Sequence, residues 1–346
     1  MKLIKEHGFA YHELNLHRGT GNLVEPLLLT WALRKLYRRI NPSIVHHITI
    51  KPVLCGTLAA RWVGVPAILN AMSGLGFVFT ARGRWAQLRR SVVMLAYRLS
   101  FAHRAVRVIF ENRDDARLFV ARGIVKHDQV AIIRGAGVDL QAFGDRGKRD
   151  GETLVLLPGR MLWDKGVQEF CAAANELRSA GVAARFALVG GLDAENPSAV
   201  PESWLAEQQR NGTVEWWGHQ RDMDKAYARA RIVCLPSYRE GLPTVLLEAA
   251  ASGCALVAAD VPGCREVIQH GVTGLLVPPR DAAALAKALH TLIADPALCA
   301  RLCEAAQALV ANEFSAEFIQ RSTLALYDQM IGTRRSLQPA VGRNCD

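Results

Sequence analysis

The stretch "RIVCLPSYREGLPTVLLEAAASGCALVAAD" at residues 231–260 places two short apolar runs on either side of a longer helical one. Apolar runs of this length read as strands buried on both faces, and a helix between two of them makes the connection a parallel crossover. Working outward, the alternation continues. Upstream lie "TLVLLPG" (153–159), the helix "VQEFCAAANELRSAG" (167–181), "ARFALVGG" (184–191) and "TVEWWG" (213–218). Downstream lie "GLLVPP" (274–279), "DAAALAKALHTLIAD" (281–295) and further helices to about Gly332. The first half repeats the pattern, with strands expected at "AYHELNL" (10–16), "IVHHITI" (44–50), "PAILNAM" (66–72), "RVIFEN" (107–112) and "VAIIRG" (130–135). Helices are expected at "VEPLLLTWALRKLYRRI" (24–40) and "KPVLCGTLAARWVG" (51–64). The polar, glycine-bearing "GDRGKRDGE" (144–152) is the best linker. The fold class is therefore α/β, with two doubly wound parallel-sheet domains.

Size and composition agree with that division. A chain of 346 residues suits two domains of roughly 150 residues each. Half of it is hydrophobic and 21% is charged, which excludes a disordered chain. Residues 1–150 hold 24 Lys and Arg against 10 Asp and Glu, whereas residues 151–346 hold 18 against 22. A basic half attracts nucleic acid, an anionic membrane surface or a phosphorylated substrate. The eight cysteines form no CxxC pair and no zinc-ligand spacing, so they read as reduced thiols. No stretch resembles a signal peptide or reaches the roughly 20 apolar residues of a membrane span.

Ligands of open α/β sheets sit beyond the C-terminal ends of strands, where helix N-termini point. After "TLVLLP" come Gly159, Arg160, Lys165 and Gly166; after "RIVCLPS" come Arg239, Glu240, Gly241, Leu242, Pro243 and Thr244. Pro243 suits the first turn of a helix, where its missing N–H is no loss. The N–H groups of Gly241 and Leu242 then lie beside the positive end of that helix, a place for a phosphate oxygen. Arg160 and Lys165 would supply mobile cations to the same anion. Together these describe a diphosphate cradle that uses no metal. Glu248, in the second helical turn, could accept hydrogen bonds from a vicinal diol such as a ribose, and Glu240 lies where a sugar on the distal phosphate would be. Singly, each of these residues has a plain structural reading; their joint placement after two strands of one sheet favours chemistry.

These residues resemble the family 4 retaining glycosyltransferases of GT-B architecture, in which two Rossmann-like domains face a central cleft. The resemblance is carried by "PGRMLWDKG" (158–166), "VEWWGH" (214–219), "RIVCLPSYREGLPTVLLEAAASGCALVAADVPGCREVI" (231–268) and "GVTGLLVPPRDAAALAKAL" (271–289). In the first domain, "HHITIKPVLCGTLAARWVGVPAILNAMSGLGFVFT" (46–80) looks like the branch that builds O-antigen and capsule units on polyprenyl diphosphate. The resemblance implies an acceptor domain over 1–147, a donor domain over 152–314, a helix over 315–332 packing back on the first domain, and a tail over 333–346. It implies a UDP- or GDP-sugar donor and no cofactor, with Arg160 and Lys165 on the diphosphate, Glu248 on the ribose and Glu240 on the sugar. Catalysis would rest on Glu240, Arg160 and Lys165, and Gly218 and His219 would lie near the base. The first domain would supply the acceptor site through His47, Lys51, Ser73 and Gly74. Where many members carry a histidine in the first-domain loop, "NAMSGLG" has Met72 and Ser73.

Between Phe77 and Arg107, arginines interleave with apolar residues, as in a helix lying in a lipid interface. The partners expected are thus a nucleotide sugar, a lipid-linked saccharide and an anionic membrane surface, without nucleic acid, for which no binding module is present. The expected place is the inner face of the cytoplasmic membrane. Against family members the chain is also expected to begin late, so that supplying about 40 upstream residues, one βα unit, raises activity and solubility. The rival readings are a nonhydrolysing sugar-nucleotide epimerase and an inactive remnant that binds only nucleotide or membrane.

Overall fold

The computed structural model describes residues 4, 6–14, 24–72, 84–144 and 151–335. Its first sheet has four parallel strands in sequence order: β1 (Ile44–Ile48), β2 (Ala67–Met72), β3 (Val106–Phe110) and β4 (Val130–Ile132). Every crossover steps the same way, so right-handed connections place their helices on one face. That face carries α1 (Val24–Ile40), α2 (Ile50–Val63), α3 (Arg84–Phe101) and α4 (Arg113–Ala121). Leu33 of α1, Ala59 of α2, Tyr97 and Phe101 of α3 and Phe119 of α4 join Ile68, Val108 and Phe110 in a single core.

Strand side chains alternate between faces, so Ala67, Leu69 and Ile109 point to the opposite side. There the final helix, α12 (Ala316–Arg335), covers them with Ile319 and Met330. The strand expected at 10–16 is not formed over its described part: Ala10–Glu13 are exposed, and among the described residues β1 pairs only with β2. Over Ala10–Leu14 the sequence runs apolar, apolar, polar, polar, apolar, which gives a strand no single face to bury.

The second sheet contains β5 (Thr153–Pro158), β6 (Ala184–Val189), β7 (Glu215–Trp216), β8 (Ile232–Leu235), β9 (Ala255–Ala259) and β10 (Leu275–Val277). The spatial order is β10-β9-β8-β5-β6-β7, all parallel. The chain builds outward from β5 through β6 and β7, then returns to β8 and builds the other way. This reversal puts helices on both faces. On one face are α5 (Val167–Ser179), α6 (Glu202–Arg210) and α10 (Ala282–Ala294). On the other are α7 (Met223–Arg229), α8 (Thr244–Ala251) and α9 (Pro262–Val267), and α11 (Pro296–Glu313) contributes to both. Leu154 and Leu156 face one core, Val155 and Leu157 the other. β8 and β9 are buried at every position, which is why their sequences are apolar without interruption.

The domains meet where the second crossing returns. Val138 N–H donates to Phe314 O at 2.9 Å and Ala316 N–H to Val138 O at 2.9 Å. Gly137 allows this approach: its φ is +77°, and a Cβ there would stand 2.8 Å from the Ala316 backbone. No single described helix is long and apolar enough to cross a membrane.

Candidate functional site at the strand reversal

The reversal of strand order lies between β5 and β8, and at such a point the two departing loops splay apart and open a crevice. Glycines lace the loops together. Gly166, with φ +75°, packs so closely on Pro236 that a Cβ would lie 2.3 Å from its carbonyl oxygen. Tyr238 N–H donates to Asp164 O at 2.9 Å. These contacts carry Lys165, at the end of the β5 loop, to the β8 loop, where its ammonium pairs with Glu240 Oε1 at 2.5 Å. The pair is largely buried, with side-chain exposures of 24% and 11%. Arg160 lies on the rim, paired with Asp193 Oδ2 at 2.6 Å.

Beyond Glu240 the chain bends through Gly241 and Leu242 into α8, whose N-cap is Pro243 and first residue Thr244. No side chain caps this helix, so its first N–H groups keep their capacity to bind an anion. The bend rests on α9: Gly263 N–H donates to Glu240 O at 3.3 Å, and a Cβ on Gly263 would lie 2.4 Å from Gly241 O. Glu248 is in the second turn of α8, its Oε2 accepting from the buried Tyr227 hydroxyl at 2.8 Å. Burial raises the Glu248 carboxyl above its ordinary range, and the Tyr227 bond partly opposes this. Gly218 and His219 follow β7, Gly218 O accepting from Gly190 N–H at 2.8 Å. From β8 across β5 and β6 to β7 is three strand spacings, about 14 Å.

The first domain reaches this bend with residues that sequence reasoning missed. Asn112 caps α4 by accepting from Asp115 N–H at 2.7 Å, and its amide nitrogen donates to Gly241 O at 2.9 Å. Asp115, 5% exposed, pairs with Arg239 at 2.5 Å. Glu111 precedes them, its carboxyl pushed up to about 7 by burial and then by the negative charges of Asp115 and Glu240. A Cβ on Gly135 would stand 3.0 Å from Leu242 Cδ2 and 4.0 Å from Glu111 Oε1, so this carboxyl lies close to the bend. The signal for these residues, "ENRDD" after a strand, reads as a helix start; nothing in it announces contact with the other domain.

The acceptor-side expectations fare differently. His47 is a core histidine, which corrects its reading as a cleft residue. It is 5% exposed, its Nδ1 donates to Asn70 Oδ1 at 2.9 Å, and its Nε2 accepts from Tyr37 at 2.9 Å. Asn70 Oδ1 also accepts from Thr57 at 2.9 Å. Burial lowers the imidazole to about 4, so the ring stays neutral and fully bonded. His46, on the other face of β1, meets Tyr327 of α12 at 2.7 Å. Lys51 opens α2 and pairs with Glu25 of α1 at 3.0 Å. Ser73 and Gly74 lie outside the described residues.

Two facing parallel-sheet domains with a polar crevice at the second sheet's strand reversal define the GT-B architecture. Residues 152–295 match the family model described as "Glycosyl transferases group 1", and residues 4–112 match "Glycosyl transferase 4-like". An N,N'-diacetylbacillosaminyl-diphospho-undecaprenol alpha-1,3-N-acetylgalactosaminyltransferase of Campylobacter jejuni is 32% identical over 312 residues, covering 86% of this chain and 80% of its own. The chain belongs to this glycosyltransferase family. The capsular polysaccharide glycosyltransferase CapM of Staphylococcus aureus is 24% identical, over 86% of this chain and 79% of its own. Among solved structures, Anabaena HepE in complex with UDP superposes with a TM-score of 0.77 at 19% identity, covering 95% of this chain and 88% of that one.

Proposed function

We propose that the protein is a retaining glycosyltransferase that moves a hexosyl or N-acetylhexosaminyl group from a nucleoside diphosphate sugar to a polyprenyl-diphosphate-linked saccharide in surface-polysaccharide synthesis. The observation that carries this reading is the Lys165–Glu240 pair at the uncapped start of α8, with Glu248 one turn further on. Lys165 and the Gly241, Leu242 and Thr244 N–H groups take the diphosphate, Pro243 fixing where that helix begins. Arg160 closes on the diphosphate from the rim, Glu248 takes the ribose, and Glu240 the donor sugar. Gly218 and His219, about 14 Å along the sheet edge, border the base; the donor is a UDP- or GDP-sugar, and no metal takes part. Solved relatives support the donor class, since HepE is described in complex with UDP and with UDP-glucose.

In the reaction, the acceptor oxygen bonds to the anomeric carbon as the bond from that carbon to the β-phosphate oxygen breaks. The hydroxyl proton passes to the departing phosphate oxygen on the same face. Lys165 and the α8 N–H groups stabilise the charge that develops there, which is an electrostatic contribution. The Campylobacter relative, named for an alpha linkage to a diphospho-undecaprenol saccharide, supports a lipid-linked acceptor, and its linkage fits retention from an α-configured donor. Such an acceptor places the protein at the inner face of the cytoplasmic membrane.

Calorimetric titration with UDP and GDP, followed by a sugar-nucleotide screen, tests this reading. Glu248→Ala is expected to weaken nucleotide binding by about tenfold or more, the scale of a charged hydrogen-bonding group. Glu240→Ala is expected to lower turnover with little change in nucleotide affinity. Equal and negligible effects of the two would overturn the assignment, and conversion of the sugar nucleotide without acceptor would favour an epimerase.

A further inference from the structure

Glu240 lies in the chain between two residues that the first domain holds. On one side, Arg239 Nη2 donates to Asp115 Oδ1 at 2.5 Å. On the other, Gly241 O accepts from Asn112 Nδ2 at 2.9 Å. Asn112 and Asp115 are also locked to each other: Asn112 Nδ2 donates to Asp115 Oδ2 at 3.0 Å, and Asn112 Oδ1 accepts from Asp115 N–H at 2.7 Å. Because the amide oxygen is taken by that N–H, only the nitrogen can face the Gly241 carbonyl, and the side chain has one orientation. Both residues are buried, at the cap and first turn of α4, and a group mounted on a helix is placed more firmly than one on a loop.

Stability alone does not account for this network. Taking a carboxylate and a guanidinium out of water costs about what their attraction returns, and the best-attested use of a buried pair is to fix register. Nor is it needed to join the domains, since other links do so away from the bend. Arg134 pairs with Glu266 at 3.1 Å and with Glu313 at 2.5 Å, and Arg265 pairs with Asp114 at 3.3 Å. What Asn112 and Asp115 add is the placing of residues 239–241. The Glu240 carbonyl is held as well, by Gly263 N–H at 3.3 Å. The backbone is thus anchored on both sides of the Glu240 side chain, which turns to Lys165 at 2.5 Å.

We propose that Asn112 and Asp115 are positioning residues for Glu240: through Gly241 O and Arg239 they hold its carboxylate beside Lys165, where it meets the donor sugar. The inference rests on the glycosyl-transfer reading and deepens it, because a donor-sugar contact of the second domain then depends on two side chains of the first. Neither side chain touches the sugar or the diphosphate. Displacing a reacting group by about 1 Å can cost about 10²-fold in rate, so bonds that fix this loop have a kinetic effect beyond their share of stability.

Two sets of substitutions separate placing from folding. Asn112→Ser keeps a capping oxygen for α4 but lacks the nitrogen that reaches Gly241. Arg239→Ala with Asp115→Asn releases the other side without stranding a buried charge. Each set is expected to lower kcat by about tenfold, and the two combined by about 10²-fold, measured with the donor that the sugar-nucleotide screen selects. The UDP dissociation constant should stay within about twofold in calorimetry. Denaturant unfolding of Arg239→Ala with Asp115→Asn should return toward the parent while turnover does not, whereas a purely structural role has both return together. In a Glu240→Ala background the combined set should cost little further, because all of them act through one carboxylate. Asp114→Asn, which loosens a link away from the bend, should keep kcat within about threefold. In a crystal structure of the combined variant, Glu240 is expected to have left Lys165.

Parent-like turnover of the combined variant, an additive loss on Glu240→Ala, an equal loss in Asp114→Asn, or a Lys165–Glu240 pair that stays in place overturns the proposal. If the parent transfers no sugar from any UDP- or GDP-sugar but Glu240 leaves Lys165 in the variant crystal, the glycosyl-transfer reading fails and the positioning stands. If parent and variants transfer alike, the positioning fails and glycosyl transfer stands.

Discussion

Between residues 151 and 313, within the second domain, Leu192 and Val272 are the large apolar side chains exposed among the described residues, whereas α1, α2 and α3 of the first domain expose whole stripes of them. The cores beneath are alike: parallel strands, alternating faces, helices above. The difference lies in what each domain offers outward. The second holds a largely buried charge pair and a half-buried carboxyl at the strand reversal, the Lys165–Glu240 pair and the Glu248–Tyr227 bond. The first uses its charge over a broad acid-free face. The second domain presents a crevice at its strand ends and the first a broad face on its helix backs, two places that one fold can shape independently.

The sharpest way to break this contrast is to remove the crevice cation. Lys165→Ala is expected to lower kcat/KM by about 10²–10³-fold, the usual effect of deleting one electrostatic stabiliser. Steady-state transfer assays check it, and a change within threefold would deny the crevice its role. Next in size is Gly166→Ala. The new methyl would meet Pro236 O at a conformation with φ +75°, so a loss of about 2–4 kcal/mol in denaturant unfolding is expected, the combined scale of overpacking and backbone strain.

The contact between the domains comes third. Arg239→Ala leaves Asp115 buried without its cation, and a cost of about 1–3 kcal/mol is expected, reduced from the fully buried case because Arg239 keeps some solvent contact. Adding Asp115→Asn should recover much of it.

The smallest effect is a pH slope. Because the folded protein holds the Glu111 proton up to about pH 7, against an ordinary value of 4.5, this group favours the folded state fully below 4.5. That advantage is lost as pH rises through 7. Glu111→Gln should therefore flatten the fall in stability between those limits, by on the order of 1–2 kcal/mol. Urea midpoints at pH 5 and pH 8 measure it; a parallel pair of curves would remove Glu111 from the buried crevice wall.

Much of the second domain was legible because its strands are buried on both faces and so are written as unbroken apolar runs, while glycine and proline mark where each one ends. Lys165, Glu240 and Glu248 were found by position relative to those marks. His47 was misread because its partners, Tyr37, Thr57 and Asn70, come from three other segments; a histidine at a strand end looks the same from sequence whether it faces a cleft or a core. Residues 10–14 were misread as a strand from their apolar content, yet they stay exposed or half-exposed beside a sheet whose outer strand, β1, pairs only with β2 among the described residues.

The sequence by itself determined the alternation of strand and helix, the two-domain division and the placing of polar groups just after β5 and β8, because these depend on periodicity and on residues whose backbone limits are local. Only the tertiary structure decided that Asn112 and Asp115 grip the β8 loop, that Glu111 lies close to the Leu242 bend, and that three helices share one basic, apolar face. Those are relations between segments far apart in the chain, fixed by how the helices pack on the sheet and by how the two domains dock.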